Sequence, residues 1–123
     1  MANILLVDDD LDLQEMYSTA LQGAGHNVVV ASNGEEGLSQ ANQYQFDIIL
    51  LDMMMPKLDG LGFLNAYDLR KHPSVKVLVF TNQNQVDQIN KALALGVSGY
   101  LEKADVIPAK LVEMVNSTLG SQS

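Results

Sequence analysis

Cysteine is absent from the 123 residues, which excludes both a disulfide framework and thiolate ligation of a metal; any ion has to be held by oxygen or histidine. Positive charge is scarce. Seven Lys and Arg stand against fifteen Asp and Glu, a formal net charge of −8, so the field of the chain repels phosphates and direct nucleic acid binding is not expected. Long apolar runs are lacking too, and MANILLVDDD sets carboxylates behind a short apolar segment, which fits neither a secretory leader nor a membrane span. No membrane association and a cytoplasmic location are expected. Linker-like Ser/Gly/Pro tracts are missing, so residues 1–123 are expected to form a single domain with its core at about 2–119, a frayed tail at 120–123 and no output module. A spaced glycine pattern is likewise absent after the first apolar run, which leaves nucleotide binding by that route with little support.

The residues that are present describe a folded domain. Hydrophobic residues make up 47% and charged residues 18%, a composition that supports a core and lies far from that of disordered chains. Five short apolar segments have strand character: Asn3 to Val7, Val28 to Ala31, Ile48 to Leu51, Val75 to Phe80 and Gly99 to Leu101. Helical period fills the gaps. Leu13, Met16, Tyr17, Ala20, Leu21 and Ala24 make one stripe with Gly25 placed to stop it, and further helices are expected over Glu35–Tyr44, Leu61–Lys71, Gln85–Leu95 and Asp105–Leu119. The last has Ile107, Leu111, Val115 and Leu119 at four-residue spacing. Continuous apolar strands alternating with helices suit a parallel sheet covered on both faces, so the fold class is α/β.

In such a sheet the functional groups gather outside the carboxyl ends of the strands. Asp8 and Asp9 follow the first strand, Asp52 the third, Thr81 the fourth and Lys103 the fifth. Clustered carboxylates repel by roughly several kcal/mol at intermediate dielectric, and a hard divalent cation between them is the natural remedy. Magnesium fits best, because it takes oxygen ligands, keeps several waters and needs only one or two carboxylates beside a phosphoryl oxygen; manganese is an acceptable substitute. The lack of histidine and cysteine at this rim argues against zinc. With a lysine and a hydroxyl to hold the remaining oxygens, the set is suited to phosphoryl transfer onto Asp52.

The segments LLVDDD, DIILLDMMMPKLDG, VLVFT and GYLEK, in this order and spacing, resemble the receiver domain of two-component response regulators over essentially the whole chain. The resemblance implies a flavodoxin-like (βα)5 fold, a doubly wound five-stranded parallel sheet of strand order 2-1-3-4-5. It also places the family's acidic pair on Asp8 and Asp9, its phosphoacceptor on Asp52, its switch hydroxyl on Thr81 and its rim lysine on Lys103. A backbone carbonyl at Met54 would complete the metal ligands beside Asp8, Asp9 and Asp52, and Tyr100 would be the switch aromatic. Pro56 and Gly60 match the loop after the phosphoacceptor, where fixed and permissive backbone angles are useful. The implied donor is a histidine kinase or a histidine phosphotransfer protein. The implied output is a downstream protein that reads the face made by the fourth helix, fifth strand and fifth helix, with a phosphorylation-dependent homodimer as another form. The chain is then a stand-alone phosphoacceptor with self-phosphorylation and self-dephosphorylation chemistry, and not an enzyme.

Each residue also has a plainer reading. The DDD run also reads as a helix cap, with Asp9 or Asp10 at the N-cap, and Met53, Met54 and Met55 read as packing side chains. His26 and His72 read as surface residues. Two positions depart from the family pattern: Ala104 follows Lys103 where a proline is usual, and Asn82 follows Thr81 where a small residue is usual. These departures keep a second reading open, a pseudo-receiver that binds protein without phosphorylation. A magnesium-dependent hydrolase ranks lowest, since Met54 stands where such phosphatases offer a second acid.

Overall fold

The structure, a computed structural model, describes residues 2–55, 57–81, 86–103 and 106–120. Five strands form one sheet among the described residues: β1 (Asn3–Val7), β2 (Asn27–Ala31), β3 (Ile48–Asp52), β4 (Lys76–Thr81) and β5 (Gly99–Glu102). Every pairing is parallel and the order is β2-β1-β3-β4-β5, the flavodoxin-like order expected from the resemblance. The helices between the strands are α1 (Leu11–Gly23), α2 (Gly34–Gln43), α3 (Gly60–Tyr67) and α4 (Val86–Ala94), and α5 (Pro108–Gly120) follows β5.

Strand periodicity sorts the apolar residues into two cores. Leu5, Val7, Ile49, Leu51, Val77 and Val79 pack with Ala41, Phe63, Leu64, Tyr67 and Ala92 of α2, α3 and α4. Their neighbours Ile4, Leu6, Ile48, Leu50, Leu78 and Phe80 point to the opposite face and pack with Tyr17, Leu21, Leu111 and Val115 of α1 and α5. Central strands buried on both faces are what turns ILLV and IILL into unbroken apolar runs.

Several local expectations are corrected. The helix expected over Leu61–Lys71 ends at Tyr67: Asp68 adopts φ 53°, its carboxylate accepts from the Arg70 N–H, and a 3-10 turn (Leu69–Lys71) follows. On α1 the buried positions are Gln14, Tyr17 and Leu21, while Met16 and Ala24 are exposed. Ile107 lies before α5 and is exposed; Val106 takes the buried place, because the helix starts only at Pro108. Gly25 and Gly96, at φ 94° and 102°, do terminate α1 and α4 in the left-handed region that glycine tolerates.

Candidate functional site

The strand ends converge on one rim. Asp8 follows β1, Asp52 closes β3 and Thr81 closes β4, and the parallel register sets Val7 beside Leu51 and Asp52 beside Phe80. Lys103, directly after β5, reaches back over the sheet: its Nζ lies 2.7 Å from Asp52 Oδ2 and 3.2 Å from Asp8 Oδ1. Asp8 and Asp52 are buried, with Asp52 only 3% exposed. The second oxygen of Asp52, Oδ1, accepts the Met54 N–H at 3.1 Å, a bend of backbone that follows from the strand ending at Asp52.

Burial pushes the Asp52 carboxyl up to about 6, against the downward pull of the Lys103 ammonium and the Met54 N–H. For Lys103 burial opposes the charge, but the Asp52 and Asp8 carboxylates outweigh it and hold the ammonium above the usual lysine value. One ammonium cannot neutralise three carboxylates. Asp8, Asp9 and Asp52 each offer an oxygen, all within 4.8 Å of one another. Asp8 Oδ2 and Thr81 Oγ1 are buried without a hydrogen-bond partner among the described residues. An orphaned carboxylate oxygen facing two further acids fits a hard divalent cation, and an orphaned hydroxyl at the same rim is a donor without an acceptor.

Loops and helix starts hold this rim in place. Asp10 caps α1, its carboxylate accepting the N–H groups of Asp12 and Leu13 at 3.0 and 3.1 Å, while Asp8 Oδ1 accepts the Asp10 N–H at 2.9 Å. Gly60 opens α3 against the end of β3: its N–H donates to the Met53 carbonyl at 3.2 Å, and a Cβ there would lie 2.8 Å from Met53 Cα. Close approach, and not a positive φ, is therefore what this glycine serves, which corrects the reading of Gly60 as a source of backbone freedom. Met54 is also corrected, since its side chain is 56% exposed just past the strand, whereas Met53 belongs to the core and Met55 packs partly against it.

The structure thus brings Asp8, Asp9, Asp52, Lys103 and Thr81 together and sets the Met54 main chain beside them. Tyr100 stands apart on β5, 48% exposed. Pro56, Asn82 and Ala104 lie outside the described residues. His26 is not a surface residue: it is buried far from the rim, its Nδ1 accepting the Ala2 N–H at 3.1 Å and its Nε2 paired with Asn116 Oδ1 at 2.9 Å. His72 stacks on Tyr67 with ring centroids 4.0 Å apart.

Two supporting residues escaped the sequence reading. The Gln14 amide, buried on α1, donates to the Asp8 carbonyl, to the Ala31 carbonyl at 3.3 Å and to Ser32 Oγ at 3.1 Å, tying the acidic turn to the end of β2. Tyr17 was read only as part of an apolar stripe, yet its hydroxyl donates to the Val106 carbonyl at 3.1 Å. Burial first, then the Asp8 carboxylate, raises the Tyr17 phenol above its usual value, so it remains a donor. A polar group amid apolar period was the available signal for both.

The family described as the response regulator receiver domain matches residues 4–116. The chain belongs to this family. A transcriptional regulatory protein, the CpxR homolog of Haemophilus influenzae, is 39% identical over 104 residues, covering 84% of this chain and 44% of the relative. Among solved structures, the Vibrio cholerae chemotaxis protein CheY4 is 30% identical with a TM-score of 0.87, over 96% of this chain and 98% of that one. A CheY-like receiver domain protein from Methanospirillum hungatei JF-1 is 26% identical with a TM-score of 0.92, over 99% of this chain and 96% of its own. The chain spans less than half the length of the curated relatives it matches. Among the described residues of this receiver domain, no helix is long and apolar enough to cross a membrane.

Proposed function

We propose that this receiver domain takes a phosphoryl group onto Asp52 from a histidine kinase or a histidine phosphotransfer protein. The observation that carries the reading is the buried Asp52 carboxylate held 2.7 Å from the Lys103 ammonium, beside an orphaned Asp8 oxygen and an orphaned Thr81 hydroxyl. An Asp52 oxygen attacks phosphorus in line; the P–O bond forms as the donor P–N bond breaks, and the imidazole leaves with that electron pair and takes up a proton. Lys103 holds one equatorial oxygen of the transferring group as charge spreads onto it, and the Thr81 hydroxyl donates to another. Asp8, Asp9, Asp52 and the Met54 carbonyl would hold a magnesium ion, or manganese in its place, which when bound counters the negative charge shared by the carboxylates and the phosphoryl oxygens.

Once Thr81 turns to the phosphoryl group, Tyr100 moves inward from its half-exposed position. The surface of α4, β5 and α5 then changes and a downstream protein that discriminates the two states reads it. On this reading the chain is a cytoplasmic signalling phosphoacceptor and not an enzyme, since the phosphoryl group ends on the protein itself. Its charge of −8 disfavours direct contact of these residues with nucleic acid.

Intact mass after incubation with acetyl phosphate and magnesium tests the reading. One added phosphoryl group, lost in Asp52→Asn and with chelator, is expected. A chain that gains none from either acetyl phosphate or a phosphohistidine donor would be a protein-binding module instead.

A further inference from the structure

Lys103 is clamped at its head by two carboxylates, and the backbone before it is held by β5, where Glu102 pairs with Thr81. The next described residue is Val106, and its carbonyl accepts the Tyr17 hydroxyl at 3.1 Å across a sequence separation of 89 residues. The Tyr17 ring, fully buried on α1, stacks on Phe80 with centroids 5.6 Å apart and an interplanar angle of 6°. Phe80 immediately precedes Thr81 and pairs in register with both Asp52 and Leu101. A single side chain thus touches the strand that ends in the orphaned hydroxyl and the segment that follows the rim lysine.

A phenyl ring would fill the same space as the tyrosine, so the hydroxyl is not there for packing. It is a buried donor aimed at one main-chain carbonyl, and that carbonyl lies three residues beyond Lys103. With Glu102 fixed on one side by its pairing with Thr81 and Val106 on the other, three residues of chain away, the start of the lysine stem is bounded from both directions while Nζ meets Asp52 at 2.7 Å and Asp8 at 3.2 Å.

We propose that Tyr17 is a positioning residue for Lys103, its hydroxyl latching the backbone after β5 through the Val106 carbonyl so that the ammonium is held at Asp52 and Asp8. The inference deepens the phosphoryl-acceptance reading and rests on it for its kinetic consequence, but the latch itself is a property of the unphosphorylated chain.

Tyr17→Phe removes only the hydroxyl and keeps the ring against Phe80, so the variant is expected to fold. Two readouts decide. First, the Lys103 ε-methylene NMR signal of the unphosphorylated protein should move toward that of a free lysine in Tyr17→Phe; an unchanged signal overturns the latch. This arm needs no phosphorylation, so a wild-type chain that takes no phosphoryl group would defeat phosphoryl acceptance at Asp52 without touching the latch. Second, at saturating magnesium the rate of phosphorylation by acetyl phosphate should fall on the order of tenfold, while magnesium affinity stays unchanged. In a Lys103→Ala background the same substitution should have no further effect on that rate, because Tyr17 acts through the lysine. A lower melting temperature with an unaltered rate constant and an unaltered Lys103 signal would mean a purely structural hydrogen bond, and would overturn the proposal.

Discussion

Asp52 sits where a carboxyl group prefers to keep its proton, and this has a measurable sign. The unfolded chain loses that proton near pH 4, whereas the folded one, without metal, keeps it up to about 6. Between those values the native state binds more protons than the unfolded state, so this group's stabilising contribution is full at low pH and declines as pH rises from about 4 to about 6. Urea unfolding of wild type and Asp52→Asn in chelator, compared across this window, should show wild type losing stability relative to the variant as pH rises from about 4 to about 6. A difference independent of pH would contradict the raised value. Lys103→Ala belongs to the same scale. It leaves two buried carboxylates without their cation, and a loss of roughly 3 kcal/mol is expected in metal-free urea unfolding, with much of it recovered when magnesium is added. The convergence of Asp8, Asp9, Asp52 and Lys103 on one rim was legible from the sequence because they ride on short motifs at strand ends, where one apolar run and one following residue suffice to place a group. Gln14 and Tyr17 were not, because helical period reports which side a residue faces and says nothing of what its polar atom meets there.

The elements followed the apolar pattern closely in type and less closely at their ends. Helix α3 shows why: Leu61 to Lys71 keeps an amphipathic look, but Asp68 offers the backbone a competing arrangement, a left-handed residue whose carboxylate binds the N–H and guanidinium of Arg70. Asp68→Ala removes the cap and places an alanine at φ 53°, so a loss of about 1 kcal/mol or more is expected from thermal unfolding, with no effect on phosphorylation. Gly60→Ala tests the opposite case, an element start pressed against the site. Its Cβ would meet Met53 Sδ at 2.6 Å as well as the backbone, so α3 has to shift. Destabilisation of about 1 to 3 kcal/mol is expected, together with slower phosphorylation, since Met53 directly follows Asp52. Equal rates at matched folded fractions would show that the rim tolerates the displacement.

At the scale of the molecule, the two cores share one sheet, because alternate residues of the same strands face each. Neither core can be lost alone, and unfolding by urea is expected to be a single transition seen identically by circular dichroism and tyrosine fluorescence. On the proposed reading magnesium is held only where Asp8, Asp9 and Asp52 are brought together, so it should raise the stability without altering the slope, by about 2.7 kcal/mol at a hundredfold excess over its dissociation constant. Strand type and alternation were readable in the sequence; strand order was not, because parallel runs of the same apolar character carry no label of their neighbour. That information came from the motifs as a set.

The contact between Lys103 and Asp8 joins positions 95 residues apart, and this sets a schedule for the protein as it is made. A ribosome releases the acidic turn first and the rim lysine some seconds later, at a synthesis rate of roughly 5 to 20 residues per second. Until β5 is in place, the carboxylates of β1 and β3 face each other without the Lys103 ammonium. On the proposed reading the nascent chain still lacks a group that phosphoryl transfer needs. Competence on that reading arrives in one step with β5, so a half-made receiver would draw no phosphoryl groups away from finished ones.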